Sequence, residues 1–380
     1  MIYDVAIVGS GPSGASTAFY LASKGLKCII IEKEELPRYK TCGGGFVFRG
    51  RKDMPFDIDT VIEREFRSVD IHFDSMKLFF KTERQQPIVS MVMRDAFDHL
   101  IVRRAQELGV ELFQGEALEQ LKLGETAELR TTTKLIRSRF VIGADGALSQ
   151  TAKLAGWKET RRMCPALEYE LKVSCDEFDR LSQKTRFDID AAPFGYGWCF
   201  PKKEHLSVGV GNFRKNKKQP ELKKCYHNYL NTIGIKNIIA SSAHGFIIPT
   251  SPRQDGFVKQ NVFLIGDAAG FADPLTAEGI SNAIYSGKLA AEAIADSNME
   301  LENAKTNYKH LLNKKLLPEL KTGDQLAKLF YENKTLRNLV LKHYGRNTAE
   351  LMTDIFMGKR SYPHDYKQKI RTRLKTAVFS

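Results

Sequence analysis

The sequence lacks the patterns that mark disulfide-rich, zinc-binding and membrane-spanning proteins. Its 380 residues contain six cysteines and no CxxC pair, which excludes a disulfide scaffold or zinc ribbon and indicates a reduced compartment. The long uncharged stretch over residues 5–23 is interrupted by glycine and proline and cannot span a membrane. No secretory signal is recognisable at the start. We therefore expect a cytoplasmic protein of two or three globular domains.

Two kinds of catalytic motif are also missing. The eight histidines form neither HxxxH nor HExxH, so no metal site is expected. No GxSxG elbow is present, which excludes the common hydrolase arrangement.

Positive charge is abundant and unevenly placed. The net charge is +13, and residues 301–380 hold 17 basic against 7 acidic residues, a net of +10. This segment is predicted to be helical. It fits a solvated helical face, an anionic membrane surface, an acidic partner protein or nucleic acid, and charge alone does not choose among them. Without an RNA-type aromatic motif, nucleic acid is the weakest of these interpretations.

The N-terminal segment has the strand, turn, helix and strand order of a dinucleotide-binding unit. Gly9-Ser-Gly11-Pro-Ser-Gly14 is a GxGxxG motif between an apolar run and a helical segment. Its glycines allow the tight turn, the approach of a pyrophosphate and the packing of helix on strand. Glu32 ends the next strand, 23 residues after Gly9, at the spacing of an acid that binds a ribose hydroxyl. These features predict a parallel sheet, but leave NAD and FAD open.

Two later segments favour FAD. Gly143-Ala-Asp145-Gly146-Ala-Leu-Ser149 and Gly266-Asp267-Ala-Ala-Gly270 follow buried strands, and at this order and spacing the chain resembles the flavoprotein superfamily that contains p-hydroxybenzoate hydroxylase. The resemblance implies that Asp267 binds the ribityl chain, that Gly279 and Ile280 face the flavin ring, and that Arg94 lies near FAD. The further cofactor residues it implies are Gly9, Gly11, Ser13, Gly14, Glu32, Lys33, Cys42, Gly43, Gly44, Ala117, Asp145 and Gly146.

The resemblance covers about residues 1–300 and implies an α/β fold. We expect a Rossmann-like FAD-binding domain interleaved with an antiparallel-sheet substrate domain, followed by a helical C-terminal region. The expected bounds are 1–65, 94–155 and 256–300 for the FAD-binding domain, 66–93 and 156–255 for the substrate domain, and 301–380 for the basic helical region.

Further segments resemble the geranylgeranyl reductase family. Residues 36–45, LPRYKTCGGG, are similar to its proline-arginine stretch and Cys-Gly loop. Residues 193–201, PFGYGWCFP, and Gly209-Val-Gly211 match its PxxYxWxFP pattern and trailing GxG. Residues 273–280 also fit, although Ala277 stands where a glycine is commoner. The resemblance implies an FAD-dependent enzyme that reduces geranylgeranyl-type C=C bonds in a prenyl lipid, a quinone or a pigment precursor.

The catalytic candidates are Cys42, Tyr196 and Trp198, and the substrate candidates are Tyr196, Trp198 and Phe200. The three aromatic residues alternate, so on a strand they share one face, either as a wall for a prenyl chain or as a core stripe. Cys42 is either a proton donor or part of a loop that covers the flavin. Cys199 is expected to point away from the aromatic face, and Cys28 and Cys175 to lie in strand cores.

The electron donor has no visible site of its own, because the chain shows one dinucleotide fingerprint. Electrons are therefore expected from a transient visit of NAD(P)H or from a reduced protein such as ferredoxin. A prenyl substrate would make the basic C-terminal region a dock for the anionic inner face of a membrane.

Flavin-dependent halogenases show the strongest competing resemblance. They share the proline-arginine stretch and carry WxWxIP, where this chain has Tyr196 and Phe200 in place of the first tryptophan and the isoleucine. Their loop usually continues Gly-Glu-Ser, where this chain has Cys42-Gly-Gly-Gly. Both differences favour the reductase. The shared FAD scaffold also leaves open a flavin monooxygenase acting on an aromatic or quinone ring. The basic C-terminal region leaves open a non-enzymatic flavin- or nucleic-acid-binding protein.

Overall fold

A computed structural model describes residues 1–214, 220–363 and 365. Its strands are β1 (Tyr3–Val8), β2 (Cys28–Ile31), β3 (Gly45–Val47), β4 (Ile62–Phe66), β5 (Ser68–Phe73), β6 (Leu78–Glu83), β7 (Val89–Val92), β8 (Glu111–Phe113), β9 (Leu118–Lys122), β10 (Ala127–Thr131), β11 (Leu135–Gly143), β12 (Met163–Val173), β13 (Thr185–Ile189), β14 (Gly195–Pro201), β15 (Leu206–Asn212), β16 (Ile238–Pro249), β17 (Val258–Lys259) and β18 (Val262–Leu264). Its α-helices are α1 (Pro12–Ala22), α2 (Phe48–Lys52), α3 (Arg94–Gln106), α4 (Gln150–Leu154), α5 (Cys175–Leu181), α6 (Leu222–Ile233), α7 (Gly266–Ala269), α8 (Ile280–Ala295), α9 (Leu301–Lys315), α10 (Leu317–Ala327) and α11 (Lys334–Phe356).

The first sheet contains the N-terminal dinucleotide-binding unit. Its main path runs β17, β18, β11, β1, β2 and β8, with β10 and β9 added beside β11. Strand β1 pairs in parallel with both β2 and β11, and β11 pairs in parallel with β18. These short apolar strands are buried with α1 and α8 in one hydrophobic core. The predicted parallel sheet is confirmed.

The second sheet is mainly antiparallel. Its order is β16, β12, β15, β14, β13, β5 and β6, and only the β13–β5 pair is parallel. A small third sheet consists of β3, β7 and β4, whose strands alternate in sequence with those of the other two sheets, and it includes the strand that follows the Cys-Gly loop. The mixed α/β fold with an antiparallel second sheet agrees with the sequence prediction. The domain bounds themselves stay predictions.

The C-terminal helices pack onto both large sheets. Helix α9 joins the core of the first sheet, where the Tyr308 hydroxyl donates to the Leu264 carbonyl of β18 at 2.9 Å, and α11 lies against β6 of the second. The hydroxyl groups of Thr82 in β6 and Thr353 in α11 lie 2.7 Å apart, and Arg84 Nη2 donates to Asp354 Oδ1 at 2.8 Å. The helical prediction is confirmed for residues 301–356, apart from the single turn between α10 and α11, which is a π-helix (Lys328–Glu332). Five of the basic residues behind the C-terminal charge belong to residues 366–380, outside the described part of the chain. Within the described residues, no helix is long and apolar enough to cross a membrane.

One cysteine prediction is wrong. Cys28 is buried in β2 as expected, but Cys175 is exposed and begins helix α5. Strand β12 has already ended at Val173, and Ser174 takes the N-cap position. Acidic residues in the first turn of α5 also favour a helix start here.

Helix α1 can lie against α8 only because Gly287 has no side chain. A Cβ there would lie 2.3 Å from Thr17 Oγ1 and 2.8 Å from the Ser13 carbonyl oxygen. We expect Gly287→Ala to lower the free energy of unfolding by about 1–3 kcal/mol, since the helices must separate. Urea denaturation measures this. Gly124→Ala, whose Cβ would meet its nearest atom at 3.7 Å, is the control, and an equal effect of both changes would contradict the packing argument.

Candidate active site

The GxGxxG turn places the start of α1 beside two arginines. Gly9 has a left-handed φ of 103°, and a Cβ on Gly14 would lie 2.0 Å from the Gly9 carbonyl oxygen, so the turn requires both glycines. A Cβ on Gly11, which caps α1, would lie 3.8 Å from Arg94 Nη2 and 3.9 Å from Arg38 Nη2. The backbone at Gly11 therefore faces two guanidinium groups at a helix N-terminus, which is a favourable place for a pyrophosphate.

A buried carboxylate holds these arginines in place. Arg94 donates to both oxygens of Asp98, through Nε at 2.8 Å and Nη2 at 2.9 Å, and Arg38 Nη1 donates to Asp98 Oδ2 at 3.0 Å. Although burial opposes the charge, Asp98 raises the pKa of Arg94 above its usual range. Arg38 and Asp98 were not among the residues predicted from the sequence. The available signal was the helical i, i+4 spacing of Arg94 and Asp98.

Glu32 follows β2, and its side chain is hydrogen-bonded to the same glycine turn. Its Oε2 atom accepts hydrogen bonds from the Ser10 N–H at 2.9 Å and the Ser10 hydroxyl at 2.5 Å, and its Oε1 accepts from the Glu34 N–H at 3.1 Å. Its place after the second parallel strand is the one expected for a ribose-binding acid. Lys33, by contrast, is largely exposed, with its ammonium group 3.5 Å from Glu34.

Three further predicted cofactor residues use their polar groups within the protein. Asp145 accepts from the hydroxyl of Ser149 at 2.5 Å and from the N–H and hydroxyl of Thr151 at 2.8 and 2.9 Å, so its carboxylate caps α4. Gly146 follows it in a left-handed conformation. The backbone N–H and carbonyl of Ala117 are both hydrogen-bonded to the loop before β11. Contact of these three residues with FAD stays a prediction.

The predicted flavin-facing residues do come together. Asp267 opens α7, and its Oδ1 atom lies 3.5 Å from the position of a Cβ on Gly279, the N-cap of α8. Ile280 is the first residue of α8. Ser13 Oγ lies 2.9 Å from the Cβ position of Gly266, so α1 meets the same corner. Burial raises the pKa of Asp267 although neighbouring cations oppose the shift.

The Cys-Gly loop lies directly on the second sheet. A Cβ on Gly43 would lie 2.9 Å from Trp198 Nε1 and 3.1 Å from the Phe200 ring. Lys202, fully buried at the end of β14, donates from Nζ to the Gly43 carbonyl at 2.7 Å and the Val92 carbonyl at 3.0 Å. Lys202, which was not predicted from the sequence, thus fastens this loop to the aromatic face.

Cys42 of that loop lies close to the arginine beside the glycine turn. Its sulfur accepts from the Gly44 N–H at 3.4 Å and interacts with the Arg94 guanidinium group. Lys40 is also close, and burial, together with the positive charge of Arg94, lowers its pKa to about 8. The thiol therefore lies in an electropositive, partly buried position. Whether it donates a proton stays a prediction.

The three predicted substrate residues share one face of β14. The ring centroids of Tyr196 and Trp198 are 6.3 Å apart, and those of Trp198 and Phe200 are also 6.3 Å apart. Cys199 belongs to the hydrophobic core on the opposite face, as expected. A Cβ on Gly209 would lie 2.2 Å from the Trp198 ring, which explains why the GxG follows the aromatic motif. The shared face is confirmed, and its contact with substrate stays a prediction.

The loop before α8 is held by tyrosines from distant parts of the chain. The donors are Tyr196, to the Thr276 carbonyl; Tyr331, to the Leu275 carbonyl at 2.7 Å; and Tyr362, to both Asp273 carboxylate oxygens at 3.1 Å. Ala277 in this loop has a left-handed φ of 56°, which explains why glycine is commoner there. The C-terminal region therefore helps to build the site, a role that its sequence did not reveal.

The comparisons agree with this geometry. A family model described as "FAD binding domain" matches residues 2–297. Digeranylgeranylglycerophospholipid reductase of Thermoplasma acidophilum is 30% identical over 362 residues, covering 90% of this chain and 87% of that protein. The chloroplastic geranylgeranyl diphosphate reductase of Arabidopsis thaliana is 28% identical over 421 residues, covering 98% and 84%.

Solved structures show the same fold. A geranylgeranyl bacteriochlorophyll reductase-like protein from Thermoplasma acidophilum superposes with a TM-score of 0.79 at 24% identity over 99% of each chain. The flavin-dependent brominase Bmp2 superposes with a TM-score of 0.73 at 20% identity, also over 99% of each chain. The fold is therefore shared by reductases and halogenases.

The glycine turn, the paired arginines and the two helix starts together fit FAD, and the chain is an FAD-dependent oxidoreductase of the FAD-binding-domain family. Within that class, its motifs and relatives place it in the geranylgeranyl reductase family.

The arginine pair predicts a specific role for Asp98. Asp98→Asn removes the charge that orients Arg94 and Arg38, so we expect FAD to bind at least tenfold more weakly, a loss of about 1.4 kcal/mol. Fluorescence titration of the apoprotein with FAD, below its unfolding temperature, measures this. Asp95→Asn, at a half-buried carboxylate in the first turn of the same helix, is the control. Equal affinities of the two variants would contradict the role of Asp98.

Proposed function

We propose that this chain reduces C=C bonds of a geranylgeranyl-type chain carried by a prenyl lipid, a quinone or a pigment precursor. The observation that carries the proposal is the contact of the Cys-Gly loop with the aromatic face at Gly43, because it joins the flavin side of the molecule to an apolar wall. FAD, when bound and reduced, supplies a hydride. An alkene also needs a proton on its other carbon and a site that excludes water.

The protein side of the site suits this task. Trp198 and Phe200 are almost fully buried, and the Tyr196 hydroxyl is engaged by the 273–279 loop, so all three present mainly apolar rings. Such a surface binds a prenyl chain through apolar contact rather than through polar recognition. Cys42 lies at the junction of this wall with the cofactor residues, where a proton donor or a covering loop is needed.

The head group and the electron donor are left open by the residues. The relatives are named for a diphosphate and a phospholipid, so both classes belong among the test substrates. For the donor, we propose NAD(P)H or a reduced ferredoxin-type protein.

The test is anaerobic. FAD-loaded protein reduced with dithionite is mixed with geranylgeranyl diphosphate or a geranylgeranyl phospholipid, and mass spectrometry is expected to find products that have gained hydrogen. A strict requirement for oxygen would instead support a monooxygenase or halogenase, for which the shared brominase fold is the supporting observation.

The aromatic wall gives the sharpest prediction of this function. Trp198→Ala is expected to slow alkene reduction by at least tenfold while FAD stays bound, because the chain loses its apolar contact beside Gly43. Tyr226→Ala removes a buried ring from the opposite face of the same sheet and serves as the control. Anaerobic product formation per bound flavin is the measurement. If both variants reduce the substrate at equal rates, the three aromatic residues only pack the core and do not bind the substrate.

We also propose that the basic C-terminal region docks on an anionic membrane surface, where a prenyl lipid would be met, and that the protein acts at the cytoplasmic face. In the described part of this region, Lys309, Lys314 and Lys321 are exposed. The attraction is about 1 kcal/mol for each basic residue near such a surface.

Changing Lys309, Lys314 and Lys321 together to glutamine is therefore expected to weaken binding to phosphatidylserine vesicles by at least tenfold. Co-sedimentation with vesicles measures it. The control changes Lys24, Lys122 and Lys153, which are exposed on the first domain, in the same way. Equal binding by both triple variants, or equal binding to neutral vesicles, would contradict a dock in this region.

A further inference from the structure

A buried carboxyl pair lies on the same face of the second sheet as the aromatic wall. Glu168 of β12 is in register with Gly209 of β15, which is in register with Trp198 of β14. Residues in register on neighbouring strands point to the same face, and so does Glu170, two residues further along β12. Glu168 is only 2% exposed. Two acidic groups therefore lie two strands away from the aromatic residues against which the proposed substrate would rest, on the same face of the sheet.

Hydrogen bonds join this pair to the wall. Trp198 Nε1 donates to Ser207 Oγ at 3.4 Å, and the Ser207 hydroxyl donates to Glu168 Oε1 at 2.9 Å. Since Trp198 Nε1 also faces Gly43, only Ser207 and one indole ring separate the Glu168 carboxyl group from the Cys-Gly loop.

The surrounding groups shift the pKa values of Glu168 and Glu170 in opposite directions. Burial, and then the negative charge of Glu170, raises the pKa of Glu168 to about 8. Burial acts to raise the pKa of Glu170. The pKa is nevertheless lowered, because the His205 ring lies 2.9 Å from Glu170 Oε2 and the Lys202 ammonium group is near. The charged and titratable groups that face Glu168 are Glu170 on its own strand, Lys202 and His205 at the β14–β15 hairpin, His244 on β16 and Tyr39 in the Cys-Gly loop segment.

We propose that Glu168 is the buried acid that supplies the proton for each reduced double bond, an inference that rests on the proposed function. In this reaction the C=C π bond breaks and two C–H bonds form. One carbon receives a hydride, with its two electrons, from the reduced flavin. The other receives a proton from the Ser207 hydroxyl, which takes up the Glu168 proton in exchange, since the Trp198 indole can only donate and cannot relay a proton.

Glu168 then carries a negative charge and must regain a proton from solvent. His244 is in register with Glu168 on edge strand β16, is half-buried, and contacts the Tyr39 ring in a tilted arrangement with ring centroids 4.2 Å apart. Because β16 is the edge strand of the sheet, we propose that the His244 imidazole takes up this proton from solvent and passes it to Glu168.

The decisive variant is Glu168→Gln, which can still accept from Ser207 but has no acidic proton. In anaerobic stopped-flow experiments, the rate at which a geranylgeranyl compound reoxidises the reduced flavin is expected to fall by about 10²-fold. Reduction of the flavin by dithionite and the FAD content are expected to stay unchanged. Glu177→Gln, another buried glutamate of the same domain, is the matched control for folding.

The pH profile separates an acid from a merely structural group. In the unsubstituted protein, reoxidation should slow as the pH rises through about 8, because Glu168 loses its proton there. Glu170→Gln removes the negative charge that favours the protonated form, so this decline should move to lower pH. A profile that does not move in Glu170→Gln would overturn the proposal.

An infrared measurement tests the acid without turnover. FAD-loaded protein at pH 7 should show the carbonyl band of a protonated carboxyl group that is absent in Glu168→Gln and disappears above about pH 8. If the protein reduces prenyl compounds and Glu168→Gln does so at the same rate, this inference fails alone. If the protein reduces no prenyl compound, both the proposed function and this inference fail, whatever the infrared band shows.

Discussion

The buried ammonium group of Lys202 is the interaction on which the site depends. It belongs to the second sheet, yet its hydrogen bonds go to carbonyls of Gly43 and Val92, which flank strands of the small third sheet. Burial lowers the pKa of Lys202, and the nearby glutamates oppose that shift. Removing such a group from water is costly unless it is hydrogen-bonded, so these two bonds hold the loop and the sheet at one separation. That separation brings Gly43 into contact with Trp198 and gives the flavin side and the aromatic face a common boundary.

The same boundary is reinforced from the far end of the chain. Tyr331 and Tyr362 bind the loop that leads into α8, beside the Tyr196 hydroxyl from the aromatic strand. Because Gly279, the N-cap of α8, lies next to Asp267, the C-terminal helices help to fix where the flavin ring would lie. Part of the positive charge of the C-terminal region is neutralised inside the fold, since Arg337 is buried and forms an ion pair with Asp190.

The sequence was informative wherever structure is decided by neighbours along the chain. The GxGxxG turn, the buried parallel strands and the alternation of Tyr196, Trp198 and Phe200 all follow from local geometry, and the structure has them as expected. Lys202 and Glu168 were missed because their partners lie on different elements, and a charged residue in sequence gives no sign of its burial. Asp98 was missed although Arg94 lies one turn before it on the same helix, because its second partner, Arg38, comes from a distant loop. Cys175 was misplaced because it comes only two residues after the last residue of strand β12, and the acidic residues that follow it begin a helix there. The C-terminal region looked like a basic appendage because its tyrosines act over more than fifty residues of separation.

The central claim is that flavin and prenyl chain meet where the Cys-Gly loop touches the aromatic face. The most direct measurement is a crystal structure of the FAD-bound protein with a geranylgeranyl compound. The account predicts density for the prenyl chain along Tyr196, Trp198 and Phe200, with a double bond lying between Gly43 and the flavin ring. Density for the chain on the opposite face of the second sheet, around Cys199, or outside the protein entirely, would contradict it.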